Sequence, residues 1–192
     1  EVDALAAAGA ETVWMGAESG AQSVLDAMEK GTRVEQIEEA ARRLRAAGIR
    51  VAFFLQFGYP GEGPAEIEAT RALVRRVLPD DIGISVSYPL PGTRFYERVR
   101  AELGEKRNWV DSDDLAMLYR GPFSTRFYRR LHGAVHKEFR LRRAAGTVSP
   151  LTHVARAARR FTARDRLGRM KDALTMPLDH LELAGMRRLE RR

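Results

Sequence analysis

Short apolar runs alternate with stretches of helical periodicity over the first hundred residues. Residues 12–17 (TVWMGA) read as a short apolar strand, followed by Ser19-Gly20 and a helical stretch over residues 21–30 that Gly31 breaks. Thr32 and Glu35 stand at capping-box spacing and predict the start of a second helix. Val34, Ile37, Ala41, Leu44 and Ala47 recur on one face of it, and Gly48 stands where a left-handed C-terminal residue is expected. Residues 51–57 (VAFFLQF) are nearly all apolar; a strand without alternation predicts burial on both faces, as in a helix-covered parallel sheet. The turn GYPGEGP leads to Pro64 at a first helical position, with Ile67, Thr70, Val74 and Val77 facing inward and Pro79 as the stop. Residues 81–88 (DIGISVSY) form a third strand, and PLPGT turns the chain into a helix over residues 94–103.

Strand–helix repeats with such short connections predict parallel strands joined by right-handed crossovers. Three strands cannot close a barrel, so the pattern is an open half-sheet or a section of a larger one. The pattern changes after Gly104. Residues 108–119 form a polar, aromatic connector containing Asp111, Asp113 and Asp114, and a long helix follows from Ser124 to about Ala145 with Phe127, Leu131, Val135 and Phe139 on one face. Residues 146–150 read as a linker. The remainder reads as two or three basic helical pieces broken near Gly168, Pro177 and Gly185. The expected organisation is 1–104 as the strand–helix part, 105–145 as connector and long helix, and 146–192 as a basic helical tail.

Charge sharpens this division. Residues 126–192 hold 18 Lys+Arg against 6 Asp+Glu, a net of +12, whereas residues 1–125 hold 15 against 20, a net of −5. A basic tail can meet nucleic acid, an anionic membrane surface or an acidic partner, or can simply be a solvated helical surface. The 192 residues contain no cysteine, which excludes a disulfide framework, a thiolate metal site and a cysteine nucleophile within this chain. No apolar run reaches the ~18 residues of a membrane span, and residues 1–8 lack the basic start and apolar core of a signal peptide. A cytoplasmic location, with a membrane-peripheral one as the variant, is the expectation.

Ligands of strand–helix sheets and barrels collect at the C-terminal strand ends. Three polar or glycine-rich clusters fall there: Glu18-Ser19-Gly20, Gln56 to Glu62, and Ser85 to Thr93. Glu18 can accept two hydrogen bonds, which suits a ribose diol or an ammonium. Ser19 can donate to a carboxylate or, with Gln22, form a capping box. Gly58 and Gly61 permit close backbone approach, although for Gly61 a plain tight turn is the favoured reading. Gln56 interrupts an apolar run and needs a partner, a ligand or backbone. Glu62 precedes a helix, where the dipole favours a carboxylate. Ser85 and Ser87 share one strand face, and Tyr88-Pro89-Leu90-Pro91-Gly92 makes a stiff rim segment. His132 and His136, four apart on a helix, lack a third ligand at matching spacing; His153 and His180 carry no pattern. The aspartate group lacks the glycine and distal glutamate of a calcium loop. Trp109, Tyr119, Phe123 and Phe127 read as aromatic packing of the connector. No GxGxxG, GxxxxGK[ST] or GxSxG occurs.

At these clusters the chain resembles radical S-adenosylmethionine (SAM) enzymes, specifically the branch with an N-terminal cobalamin-binding domain. VWMGAESG (13–20) is similar to that family's fourth barrel strand, LQFGYPGE (55–62) to the fifth strand and its turn, and SVSYPLPGTRFYE (85–97) to the sixth strand and its exit. The resemblance covers about residues 1–140. It implies an α/β fold: a partial TIM-like (β/α) barrel holding strands four to six of a six-stranded radical SAM barrel, followed by an α-helical basic tail. It implies SAM across the rim, with Glu18 and Ser19 near its ribose and methionine parts, Gln56, Phe57 and Gly58 near the adenine, and Tyr88 and Pro89 bordering the pocket. The family's CxxxCxxC loop, which binds a 4Fe-4S cluster through three thiolates, has no counterpart in this sequence.

The resemblance therefore implies a fragment. The 4Fe-4S cluster and cobalamin belong to a full-length parent, the missing N-terminal half is the first expected partner, and a small molecule or lipid is the substrate. The parent would cleave SAM reductively to a 5′-deoxyadenosyl radical and use cobalamin for methyl transfer or ring rearrangement; this chain alone would not. Two other readings stay open: a complete small β/α enzyme, and a basic module that binds nucleic acid or an anionic membrane through residues 147–192. Of those two partners, the membrane is the favoured one.

Overall fold

A computed structural model describes residues 1–103, 115–146 and 163–189. The described residues divide into two compact units, 1–129 and 130–192. The aspartates at 111, 113 and 114, together with Trp109 and His153, lie outside the described residues.

The first unit runs α1 (Val2–Ala7), β1 (Thr12–Glu18), α2 (Gln22–Ala27), α3 (Val34–Ala46), β2 (Arg50–Phe57), α4 (Pro64–Val77), β3 (Asp81–Val86) and α5 (Arg94–Val99), which tightens into a 3₁₀ turn over Arg100–Glu102. The mixed α/β alternation predicted from the sequence is present, and the sheet is parallel in the order β1-β2-β3. Among the described residues β1 pairs with β2 alone. An open three-stranded parallel sheet with helices is compatible with a partial β/α barrel. α1 was not anticipated.

Register explains the two faces of the sheet. Val51, Phe53, Leu55 and Phe57 point to one side with Ile82 and Val86, and all of them are at most 3% exposed. α3 packs on β1 and β2 through a face that buries Val34, Ile37, Ala41 and Leu44. The other face is different, and here the expectation of two-sided burial fails. Phe54 is 49% exposed and Trp14 43% exposed, their rings stacked with centroids 4.6 Å apart. Gly83 leaves room for this stack: a Cβ there would come within 3.4 Å of both rings. The apolar run of β2 therefore has one helix-covered side and one open aromatic side.

Several boundaries differ from the sequence expectation for local reasons. The N-cap of α3 is Arg33, not Thr32. Gln36 accepts from the Arg33 backbone N–H at 2.8 Å, while Thr32 turns its hydroxyl to the Lys30 carbonyl. The Ser19–Gln22 capping box does not form, because Gln22 instead accepts from Val34 N at 3.1 Å and so ties α2 to the start of α3. α3 is followed by Gly48 at φ +79°, as its position predicts. α4 begins at Pro64 and ends on Leu78 at φ +47°, just before Pro79. Its last carbonyls, of Val77 and Leu78, accept the Arg45 guanidinium fork at 2.7 Å each, satisfying groups a helix end leaves open.

In the second unit, α6 (Thr125–Gly146, entered from the first unit) and α7 (Ala163–Leu189) form an antiparallel pair. Arg130 pairs with Asp179 and Glu182, Lys137 with Asp179 at 2.6 Å, and Arg140 with Asp172 at 2.8 Å, so rising numbers on α6 meet falling numbers on α7. Phe127, Leu131, Val135 and Phe139 are buried along α6, as their spacing predicts. The expected breaks do not occur: one helix runs through Gly168, Pro177 and Gly185. A glycine costs a helix about 1 kcal/mol and a proline about 3. Ion pairs on both sides of Pro177 supply the tertiary compensation.

Candidate functional site

A pocket of about 480 Å³ opens where the strands of the first unit terminate. Glu18 at the end of β1, Gln56 near the end of β2 and Tyr88 just beyond β3 reach it, joined by Tyr59 and by Phe95 from α5. Met28, Glu29 and Lys30, together with Leu90, Thr93, Arg94 and Arg98, complete the lining, and Arg94 pairs with Glu29. All three strand ends thus serve one cavity, as the parallel topology demands.

Glu18 is the most constrained of these residues. The β1–β2 register slips between Gly16 and Glu18, and Glu18 adopts φ +57°, a left-handed conformation unusual outside glycine. This bulge turns the side chain back over Gly16, where a Cβ would stand 2.8 Å from Glu18 Oε1 and 3.0 Å from Lys30 Nζ. Lys30 donates to Oε1 at 2.9 Å. Oε2 is buried and has no hydrogen-bond partner among the described residues, although the side chain as a whole is 12% exposed. A carboxylate oxygen held in this state at a pocket wall is an acceptor awaiting a donor.

Ser19 takes no part in the lining. It is fully buried, its hydroxyl 3.0 Å from Thr70 Oγ1 and accepting from Ala21 N at 3.1 Å. Gly20 N donates to Thr70 Oγ1 at 2.9 Å. A Cβ on Gly20 would lie 2.3 Å from the Ala69 carbonyl oxygen, so the Ser19-Gly20 step is a backbone-to-backbone seat on α4. What the seat positions is the neighbouring Glu18.

Gln56 lies in the lining, with Ser87 Oγ 3.4 Å from its Oε1. Phe57 is 1% exposed on the helix-covered face, and Gly58 and Pro89 are buried away from the lining. Gly58, at φ +88°, is enclosed: a Cβ there would meet Met117 Sδ at 3.0 Å and the Tyr128 ring at 3.2 Å. Its N–H donates to Glu62 Oε2 at 2.5 Å, and its carbonyl accepts from the Tyr119 hydroxyl. Glu62 is 2% exposed and its Oε1 has no partner among the described residues. Burial, with Glu66 adding to it, pushes the Glu62 carboxyl up to about 8 against the opposing hydrogen bond from Gly58. Burial likewise raises the Tyr119 phenol. Through its bond to Gly58 N, Glu62 clamps the turn after β2.

Of the seven residues expected at the site, the structure brings Glu18, Gln56 and Tyr88 into one pocket and places Ser19, Phe57, Gly58 and Pro89 outside its lining. Sequence reading missed Lys30, Tyr59, Phe95, Arg94 and Arg98. Tyr59 stood inside the quoted GYPGEG turn; its hydroxyl donates to the Ala27 carbonyl at 2.8 Å and its ring lies 4.8 Å from Phe95. Arg94 and Phe95 stood inside the SVSYPLPGTRFYE segment, whereas Lys30, beyond α2, and Arg98, near the end of α5, belong to no motif. The His132 and His136 rings lie 4.4 Å apart on α6, and among the described residues no group of three potential metal ligands occurs.

The pocket's residues suit a nucleoside cofactor: a carboxylate acceptor at Glu18, flat rings at Tyr59 and Tyr88, and an amide at Gln56. With no cysteine in the chain, they do not fit an iron–sulfur cluster held by thiolates.

Part of the chain is similar to known proteins. Residues 1–74 match the family described as the radical SAM superfamily. The chain is 29% identical over 89 residues to an uncharacterized methyltransferase of Pyrococcus horikoshii, covering 46% of this chain and 19% of that protein. It is 30% identical over 87 residues to a putative methylthiotransferase of Methanocaldococcus jannaschii, covering 45% and 19%. It is 26% identical over 105 residues to a probable threonylcarbamoyladenosine tRNA methylthiotransferase of Pyrococcus abyssi, covering 54% and 24%. The matched segments thus span about a fifth to a quarter of these relatives. The strand-end residues Glu18 and Gln56 and the turn at Gly58–Glu62 all fall inside residues 1–74, the part of the chain that is similar to the radical SAM superfamily.

Proposed function

We propose that the rim pocket is the ribose and adenine side of a SAM site, and that the chain is the C-terminal barrel portion of a cobalamin-dependent radical SAM enzyme that transfers a methyl group. The single observation that carries this reading is the Glu18 carboxylate, held in a left-handed bulge with one oxygen on Lys30 and the other buried and unpartnered. A ribose diol supplies the donors that Oε2 lacks. Tyr59 and Tyr88 offer ring faces to an adenine, and Gln56 offers an amide to its edge. Names of relatives as methyltransferase and methylthiotransferase favour group transfer over ring rearrangement. The substrate, a small molecule or a lipid, would enter over the same rim.

In a full-length parent, a cluster would supply the electron for reductive SAM cleavage and cobalamin would serve the methyl transfer. This chain's share is to bind and orient the nucleoside. The absence of cysteine supports assigning cluster binding to a separate N-terminal half, the expected partner. Two measurements test the proposal. Titration calorimetry with S-adenosylhomocysteine should show binding to the chain that Glu18→Gln weakens about tenfold, the loss of one charge-assisted hydrogen bond. Unchanged affinity in that variant removes Glu18 from the site. Under reductant the chain alone should release no 5′-deoxyadenosine from SAM; release would overturn the fragment reading.

A further inference from the structure

α7 presents two chemically opposite faces. Asp172 and Asp179 are buried and bound to Arg140 and Lys137 of α6, and Leu183 is 3% exposed on the same side. The other side carries Leu167, Met170, Leu174, Leu178 and Leu181, exposed by 60–75%. Their spacing of three, four, four and three residues sets them in one stripe ~21 Å long. Among residues 167–186 the other exposed positions are Gly168, Lys171, Ala173, Pro177, Glu182, Ala184 and Gly185; of the two charges among them, Glu182 pairs with Arg130 of α6 and Lys171 stands beside the stripe.

An apolar stripe of this size on a helix surface marks a contact with something outside the unit. The surrounding charge selects the occupant. Residues 126–192 carry a net +12, and the two buried acids are already neutralised within the helix pair. A second copy of the chain would bring the same positive charge against itself, and glycines 168 and 185 and Pro177 interrupt a coiled-coil seam. Nucleic acid would meet the charge but leave five large apolar side chains in water. An anionic bilayer surface satisfies both. No described helix is apolar enough to cross a membrane, so such a helix lies in the interface with its apolar face in the acyl boundary. We propose that α7 is an in-plane docking helix for an anionic lipid surface, a function separate from the rim pocket.

The full chain should co-sediment with mixed phosphatidylcholine–phosphatidylserine vesicles and not with phosphatidylcholine alone, and added salt should weaken the interaction. Leu174→Asp with Leu178→Asp should reduce vesicle binding by about tenfold or more at unchanged helical circular dichroism, since both side chains already face solvent. Lys171→Glu, at an exposed position beside the stripe, is the milder second variant and should lower binding several-fold. Equal vesicle binding by the double variant would overturn the proposal, because charge alone would then account for it. A dimer in light scattering that becomes monomeric in the double variant, without vesicle binding by the original chain, would also overturn it by assigning the stripe to a second copy.

Discussion

The exits of β1 and β2 solve the same problem with opposite results. Each ends in a left-handed residue, Glu18 at φ +57° and Gly58 at φ +88°, and each has a glutamate with one oxygen bonded and the other buried without a partner among the described residues. At β1 the bonded oxygen meets the Lys30 ammonium beside a pocket. At β2 the bonded oxygen meets a neutral backbone N–H, and Met117, Tyr119 and Tyr128 wall the turn in. A carboxylate beside a cation at an open wall is available to a ligand. A carboxyl sealed against an amide keeps its proton and holds backbone. Proximity to a strand end is therefore a weak guide to role; the partner and the enclosure decide it.

The largest effect expected from probing this contrast belongs to Glu62. Its folded value, about 8, lies above the ordinary 4.5, so its stabilising contribution is fully present below pH 4.5 and is lost as pH rises towards 8. The ceiling of that loss is on the order of 5 kcal/mol. Glu62→Gln keeps an acceptor for Gly58 and removes the titration. Urea denaturation at stepped pH should show the variant gaining on the original chain between pH 4.5 and 8. Parallel curves would mean that the β2 turn does not bury a neutral acid.

Gly20→Ala attacks the β1 exit. The new methyl would stand 2.3 Å from the Ala69 carbonyl oxygen, and no flexible side chain is there to yield. A loss of about 3 kcal/mol in denaturant midpoint analysis is expected. A neutral outcome would show that β1 and α4 separate readily.

Lys30→Met is the mildest and most discriminating of the three. It deprives Oε1 of its donor while leaving the bulge in place; with Lys30 36% exposed, about 1 kcal/mol of stability is expected to go. S-adenosylhomocysteine affinity should change less than in Glu18→Gln. If the two variants weaken binding equally, the Glu18–Lys30 pair as a unit, and not the carboxylate alone, is the contact.

Much of this was legible in the chain. The strand–helix alternation, the three strand ends as one rim, Gly48 as a helix stop, Pro64 as a start and the Phe127–Phe139 face all follow from periodicity and turn chemistry, which act over a few residues. Ser19 was hard to place, because it has an equal local reading as ligand contact or as helix cap, and the sequence offered Glu62 a helix-dipole role and not the clamp on Gly58. Thr70, fifty residues away, decides Ser19, and the aromatic wall from Met117 to Tyr128 decides Glu62. The continuity of α7 was hidden for the same reason: its glycines and proline argue locally for breaks, and pairing with α6 overrides them.

By itself the sequence determined the parallel α/β type, the approximate elements, the absence of thiolate chemistry and the uneven charge, since each depends on residue identity and short-range spacing. Tertiary structure alone decided which polar groups see a cavity, which face of the sheet stays open around Trp14 and Phe54, and which side of α7 is left apolar in solvent. Those outcomes depend on what lies across space from each residue, and burial, unlike propensity, is a property of neighbours that the local pattern does not contain.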